Sequence, residues 1–204
     1  MHAPSASPAP STNALRLSIA IATIITAGPA LAHTAASDSG VLSGMSHPIS
    51  GWDHVLAMVA VGLWGAILGT PAIWLLPVIF PMVMAIGGAM GVIGLPLPSV
   101  ETGIAVSAIV LGACIALALR PPLKFAAILV GLFAIFHGHA HGAELPASAN
   151  PAAYAVGFVV ATGLLHLSGV ALGLLAKWPA GRLMARLAGA LIALAGFAFL
   201  NRQF

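Results

Sequence analysis

Three groups of histidine and carboxylate are the residues of this 204-residue chain best suited to chemistry. The first is His47-Pro48-Ile49-Ser50-Gly51-Trp52-Asp53-His54. The second is Phe136-His137-Gly138-His139-Ala140-His141-Gly142-Ala143-Glu144, and the third is His166 alone in an apolar run. A neutral imidazole offers a ring-nitrogen lone pair to a transition-metal cation. A carboxylate beside it either joins the ion or accepts the other ring N–H and fixes the tautomer. Coordination of a divalent metal is therefore the chemistry these residue types point to. On one helix His137 and His141, four apart, share a face and could clamp a single ion, whereas His139 points elsewhere unless Gly138 and Gly142 unwind the helix. Asp53 could orient a histidine facing it across a bundle. Cys114 is the only cysteine, which rules out an intrachain disulfide and a Cys-rich metal site and leaves nitrogen and oxygen ligands, with Met sulfur as the one soft addition.

Each group has a plainer reading. His166 serves equally as a ligand or as an interhelical hydrogen-bond partner. His47 and Glu144 are expected near the membrane surface, where solvated polar residues are ordinary. The three alternating histidines 137, 139 and 141 could form an exposed metal-scavenging loop. The placement of His47, Asp53 and His54 on the same membrane side as His137, His139, His141 and Glu144 favours a shared metal site.

The elements that hold these residues must lie in a bilayer. The chain is 60% hydrophobic and only 5% charged, against about 45–50% and 25% in soluble domains, which excludes a water-soluble fold. Its net charge of +3 reflects scarce acids rather than a basic surface, so nucleic acid is not an expected partner. Arg16, the apolar stretch 17–26, Gly28-Pro29 and Ala30-Leu31-Ala32 read as a cleavable signal peptide over 1–32, leaving His33 as the new amino terminus. A bilayer core of about 30 Å needs around 20 apolar residues, and six stretches qualify: about 51–69, 72–94, 102–119, 125–141, 152–176 and 183–200. The expected architecture is an all-α, six-helix polytopic bundle forming one domain over 33–204. Glycines three or four apart, such as Gly62, Gly65 and Gly69 or Gly87, Gly91 and Gly94, are expected to let helices approach closely.

With the signal removed, Arg120, Lys124, Lys177, Arg182 and Arg186 fall on the cytoplasmic side and Glu101 and Glu144 outside, as the positive-inside rule requires. Both mature termini are then periplasmic, in the inner membrane of a bacterium. His137 lies about 18 Å from the cytoplasmic edge and His166 about 21 Å below the outer surface, with Asp53 and His54 shallower. Ionisable groups at such depth cost about 2.5–3.5 kcal/mol each on insertion scales and are functional candidates by default.

On these residues the sequence resembles the HupE/UreJ family of nickel and cobalt permeases. The family's first-span pattern, a histidine followed after five residues by Asp-His, is met by His47, Asp53 and His54. Its fourth-span pattern, Phe-His-Gly-x-Ala/Val-His-Gly-x-Glu, is met in full from Phe136 to Glu144, with His139 at the variable position. The resemblance implies uptake of Ni²⁺, or Co²⁺ in some members, in support of hydrogenase, urease or cobalamin enzymes. It assigns His47, Asp53, His54, His137, His141 and Glu144 to the metal; the buried setting adds His166 as a further candidate. No phosphate-binding loop is present, so a secondary permease with no resident cofactor is expected, and uptake should fall below about pH 6 as imidazoles protonate. An intramembrane metal-dependent enzyme and a non-transporting metal sensor or delivery protein are the rival readings. The sequence offers no His-Glu-x-x-His helix for the former.

Overall fold

The computed structural model describes residues 40–145 and 150–203; the predicted signal segment, its cleavage point and His33 lie outside them. Among the described residues the secondary structure is entirely helical. The helices are α1 (Gly40–Ser50), α2 (Trp52–Leu68), α3 (Ala72–Val92), α4 (Val100–Ala116), α5 (Leu123–Ala143), α6 (Pro151–Leu174), a 3-10 turn (Leu175–Lys177) and α7 (Pro179–Asn201). Their ends follow local chemistry. Asn150 caps α6 by accepting the Ala153 N–H at 3.1 Å, and Pro151 fills its first turn, where a missing N–H costs nothing. Gly69 and Gly94 take left-handed backbone, with φ of 83° and 70°, which is open to glycine without strain. These two glycines have no neighbour where a Cβ would sit, so they end helices rather than extend the small packing faces expected of them.

Helices α3, α5, α6 with its 3-10 extension, and α7 are long and apolar enough to cross a membrane, and α1 with α2 makes a fifth apolar stretch bent by 85°. The chain is thus a multi-pass membrane protein, with four or five spans by length and composition among the described residues, against the six expected. The difference lies in α2 and α4, each of 17 residues, hence about 26 Å long against a core of about 30 Å. Exposed Trp74, Met82, Ile86, Ile128, Leu164 and Leu191 form the apolar outer wall that lipid requires. Trp64, Leu76, Leu111 and Val130 are buried inside.

Helix α1 lies outside the six expected stretches because Gly40, Gly44, Pro48 and three serines interrupt its apolar residues. The serine hydroxyls instead donate back to carbonyls of their own helix, Ser50 to Ser46 at 2.8 Å and Ser43 to Gly40 at 3.0 Å, which removes their polarity from the surroundings. Packing supplies the rest: Gly44 lies on the backbone of Tyr154, and Gly157 on that of Val41, closer than any Cβ would allow.

The same device joins other helices. Gly87 and Gly91 of α3 sit on the Ile135 and His139 carbonyls of α5, while Gly138 and Gly142 of α5 sit on the Met84 and Gly88 carbonyls of α3. Gly62 of α2 meets the His166 carbonyl of α6, and Gly169 of α6 meets that of Val59. Gly112 and Gly189 bring α4 and α7 together. Three intimate groups result: α3 with α5, α1 and α2 with α6, and α4 with α7.

Candidate metal site

Residues spaced by four align on single helix faces, and four such faces converge. Phe133, His137 and His141 are buried on α5; Phe158, Thr162 and His166 on α6; Leu76, Phe80 and Met84 on α3. His54 begins the buried face of α2 that continues through Met58 and Gly62. Helix α5 is unbroken through this region, so the unwinding at Gly138 and Gly142 weighed from sequence does not occur; both glycines serve the α3 contact. The chain breaks instead at Gly51, between α1 and α2. A Cβ there would lie 2.8 Å from an Asp53 carboxylate oxygen and 3.0 Å from His54 Nδ1, so glycine leaves room for that pair.

His47 and Glu144 meet at the open end of the cluster. The His47 Nε2–H donates to Glu144 Oε2 at 3.1 Å, and the His47 ring stands edge-on to that of His141, with centroids 4.8 Å apart. One ligand atom from each of His47, His141 and Glu144 lies within 4.8 Å of the other two. Two ligand atoms about 2.1 Å from one ion are about 3 Å apart at a right angle and about 4.2 Å apart when opposite. A pair at the full 4.8 Å therefore needs to close by about 0.6 Å to sit opposite across a cation and by about 1.8 Å to sit at a right angle. A cation replacing the His47 proton would meet an imidazole lone pair on one side and a carboxylate on the other.

Deeper in, the tautomers are set by hydrogen bonds. His54 Nδ1–H donates to Asp53 Oδ1 at 2.8 Å, and the same oxygen accepts the His54 backbone N–H at 2.8 Å. Asp53 thus orients its own neighbour, not a histidine across the bundle as expected. His137 Nδ1–H donates to the Phe133 carbonyl at 2.9 Å. In both rings the lone pair is left on Nε2. The His54 ring lies 4.3 Å from that of His141 and 5.1 Å from that of His137, centroid to centroid. His54 is therefore packed against both and not stacked above them as the depth estimate suggested.

His54 Nε2, His137 Nε2, both nitrogens of His141 and His166 Nε2 are buried with no hydrogen-bond partner among the described residues. A buried polar atom left unsatisfied costs about 1–3 kcal/mol, and five such atoms make an expensive core unless a ligand engages them. With carboxylates beside them and no thiolate near, their donor set suits borderline divalent metals rather than Cu⁺ or Mg²⁺.

Not every candidate joins the cluster. His139 lies on another face of α5, where its Nε2–H donates to the Leu95 carbonyl at 2.7 Å and ties down the turn after α3. His166 is fully buried but separate: the ring of Phe80 stands edge-to-face against both His137 and His166, 5.4 Å from each. Phe80, together with Tyr154 and Thr162, whose hydroxyls are buried without partners among the described residues, had no mark in the sequence. The one available signal was spacing, since Tyr154, Phe158, Thr162 and His166 recur every fourth residue.

Comparison with known proteins gives the chain's family. Residues 21–199 match the family described as HupE / UreJ protein. The protein named Protein HupE of Rhizobium leguminosarum bv. viciae is 48% identical over 169 residues, covering 83% of this chain and 88% of that one. No solved structure matches the chain.

Proposed function

Since the chain belongs to the HupE/UreJ family of proteins, we propose that it is a secondary permease that takes up a divalent transition-metal cation, Ni²⁺ or Co²⁺, across the bacterial inner membrane. One observation carries the reading: imidazoles from α1, α2 and α5 crowd together beside Asp53 and Glu144, and the buried Nε2 of His54, Nε2 of His137 and both nitrogens of His141 have no partner among the described residues. The orientation follows from charge. Asp53, Glu101 and Glu144 belong to the periplasmic end, and α2 and α4 complete a set of six spans, with both mature termini periplasmic after removal of the signal.

A hydrated cation is attracted by Glu144 and Asp53 and exchanges water for His47 and His141 in the outer trio. It then passes to a second station formed by the Nε2 lone pairs of His54 and His137 with His141, whose ring lies against that of His54. The Asp53 carboxylate strengthens His54 as a ligand by holding the proton on its far nitrogen. Phe80 stands between this station and His166, so onward movement requires its ring to turn aside, which makes it the apolar barrier of the path. His139 stabilises the α3 turn and takes no part in ligation. Binding stays moderate because two overlapping stations share His141, and an ion fully satisfied at one would not leave. Delivery to a nickel- or cobalt-dependent enzyme inside the cell is the physiological consequence.

The test is accumulation in proteoliposomes containing the purified protein, with Ni²⁺, Co²⁺, Zn²⁺ and Cu²⁺ offered in parallel. Internal metal should rise above that of His54→Ala and His137→Ala controls, for Ni²⁺ or Co²⁺ most strongly. Metal binding without accumulation would instead identify a sensor or delivery protein, and turnover of a substrate without accumulation an enzyme.

A further inference from the structure

The end of the bundle remote from the histidines holds a cleft of about 490 Å³. Arg120, Lys177, Arg182 and Arg186 line it, and Ile67 and Leu183 contribute to its apolar wall. These are four of the seven lysines and arginines in the chain, and among the described residues no acidic one lines the cleft. Among the described residues no lysine or arginine forms an ion pair, the two ion pairs both being histidine with carboxylate at the other end. Arg186 is fixed at the wall, where its Nε–H donates to the Ala116 carbonyl at 2.7 Å.

From this geometry we propose that the cleft binds the phosphodiester headgroup of an anionic phospholipid. Four permanent cations around one concavity repel each other unless an anion sits among them, and Arg presents the donor fork that matches phosphate oxygens. Helix α7 starts at the same place, with Pro179 in its first turn and no side chain capping it, so its positive end also faces the anion. A lipid, rather than free phosphate, is favoured by the apolar part of the lining, by Leu183 at 60% exposure and by Trp178, 61% exposed next to it. Indole rings settle at the headgroup level of a bilayer, and basic pockets between membrane helices accept anionic headgroups.

The experiment is thermal unfolding of the purified full chain in detergent with added lipid, paired with native mass spectrometry of retained lipid. Phosphatidylglycerol should raise the unfolding temperature in a concentration-dependent way, and phosphatidylethanolamine should not. The Arg120→Gln/Arg182→Gln variant should lose most of that rise and of the bound lipid, while Lys124→Gln, a cation of the same end outside the cleft, should keep both. If the double variant does not fold, Lys177→Gln replaces it and should show a partial loss. Equal stabilisation by phosphatidylethanolamine, an undiminished rise in the cleft variants, or an equal loss in Lys124→Gln would overturn the site. Inorganic phosphate alone reproducing the full rise would overturn the lipid and make the occupant a soluble anion.

Discussion

The two ends of the bundle handle charge in opposite ways. At one end, neutral bases and carboxylates are gathered from α1, α2, α5 and α6, and the deeper rings are buried with bare lone pairs. At the other, permanent cations sit at exposed positions around a cleft, on the turn after α4 and the start of α7. Depth explains the contrast. An imidazole enters an apolar interior as a neutral molecule and becomes polar only towards a ligand, whereas a guanidinium stays charged and must remain near water or headgroups. A chain with so few charges thus gathers neutral imidazoles beside two carboxylates at one end and keeps most of its permanent cations at the other.

Independence of the two ends can be broken or sharpened by substitution. The largest effect is expected from His141→Ala, which removes the ring shared by both proposed stations: metal uptake should drop to the level of vesicles without protein, while stabilisation by phosphatidylglycerol is unchanged. Loss of the lipid effect as well would mean that the ends are one coupled system. Asp53→Asn should weaken metal affinity by about 10–100-fold, measured by isothermal titration, because the amide no longer holds the His54 proton on Nδ1. Gly51→Ala should cost less, a few-fold in affinity, since the new methyl lies 2.8 Å from the Asp53 carboxylate and must push it aside. An affinity equal to wild type would show that the break between α1 and α2 tolerates a side chain and does not set the site. His139→Ala should leave metal affinity within about twofold, because truncation of a side chain outside the site seldom moves it further; its cost falls on thermal stability through the lost bond to Leu95.

The helices were legible in the sequence because apolar runs end at glycine and proline, and the observed boundaries of α2 to α7 lie within about four residues of the expected ones, within the usual uncertainty of such readings. The candidate site residues stand out in the sequence because imidazole and carboxylate are rare and costly in such a chain. Local pattern could not show which of them meet. Helix α1 was hidden because its serines and glycines carry loop composition, and only contact with α6 makes it a helix. Gly138 and Gly142 resembled points of unwinding, but close approach of α3 is what they permit. Phe80 resembles any core aromatic until the packing of α3 on α5 and α6 sets it between two histidines. Partner choice by Asp53 depended on the sharp bend at Gly51, which no composition reports.

The backbone-to-backbone glycine contacts have a mechanical consequence. They fuse α3 to α5 as one jaw and α1 and α2 to α6 as another, and the candidate ligands divide between them: His137, His141 and Glu144 on the first, His47, Asp53, His54 and His166 on the second. Across the seam the site is joined by ring contacts and the His47–Glu144 hydrogen bond, and not by interlocked backbone. A tilt of one jaw by 1 or 2 Å would therefore dismantle the coordination sphere while leaving each jaw intact, as in the rocking of rigid bundles around a central site.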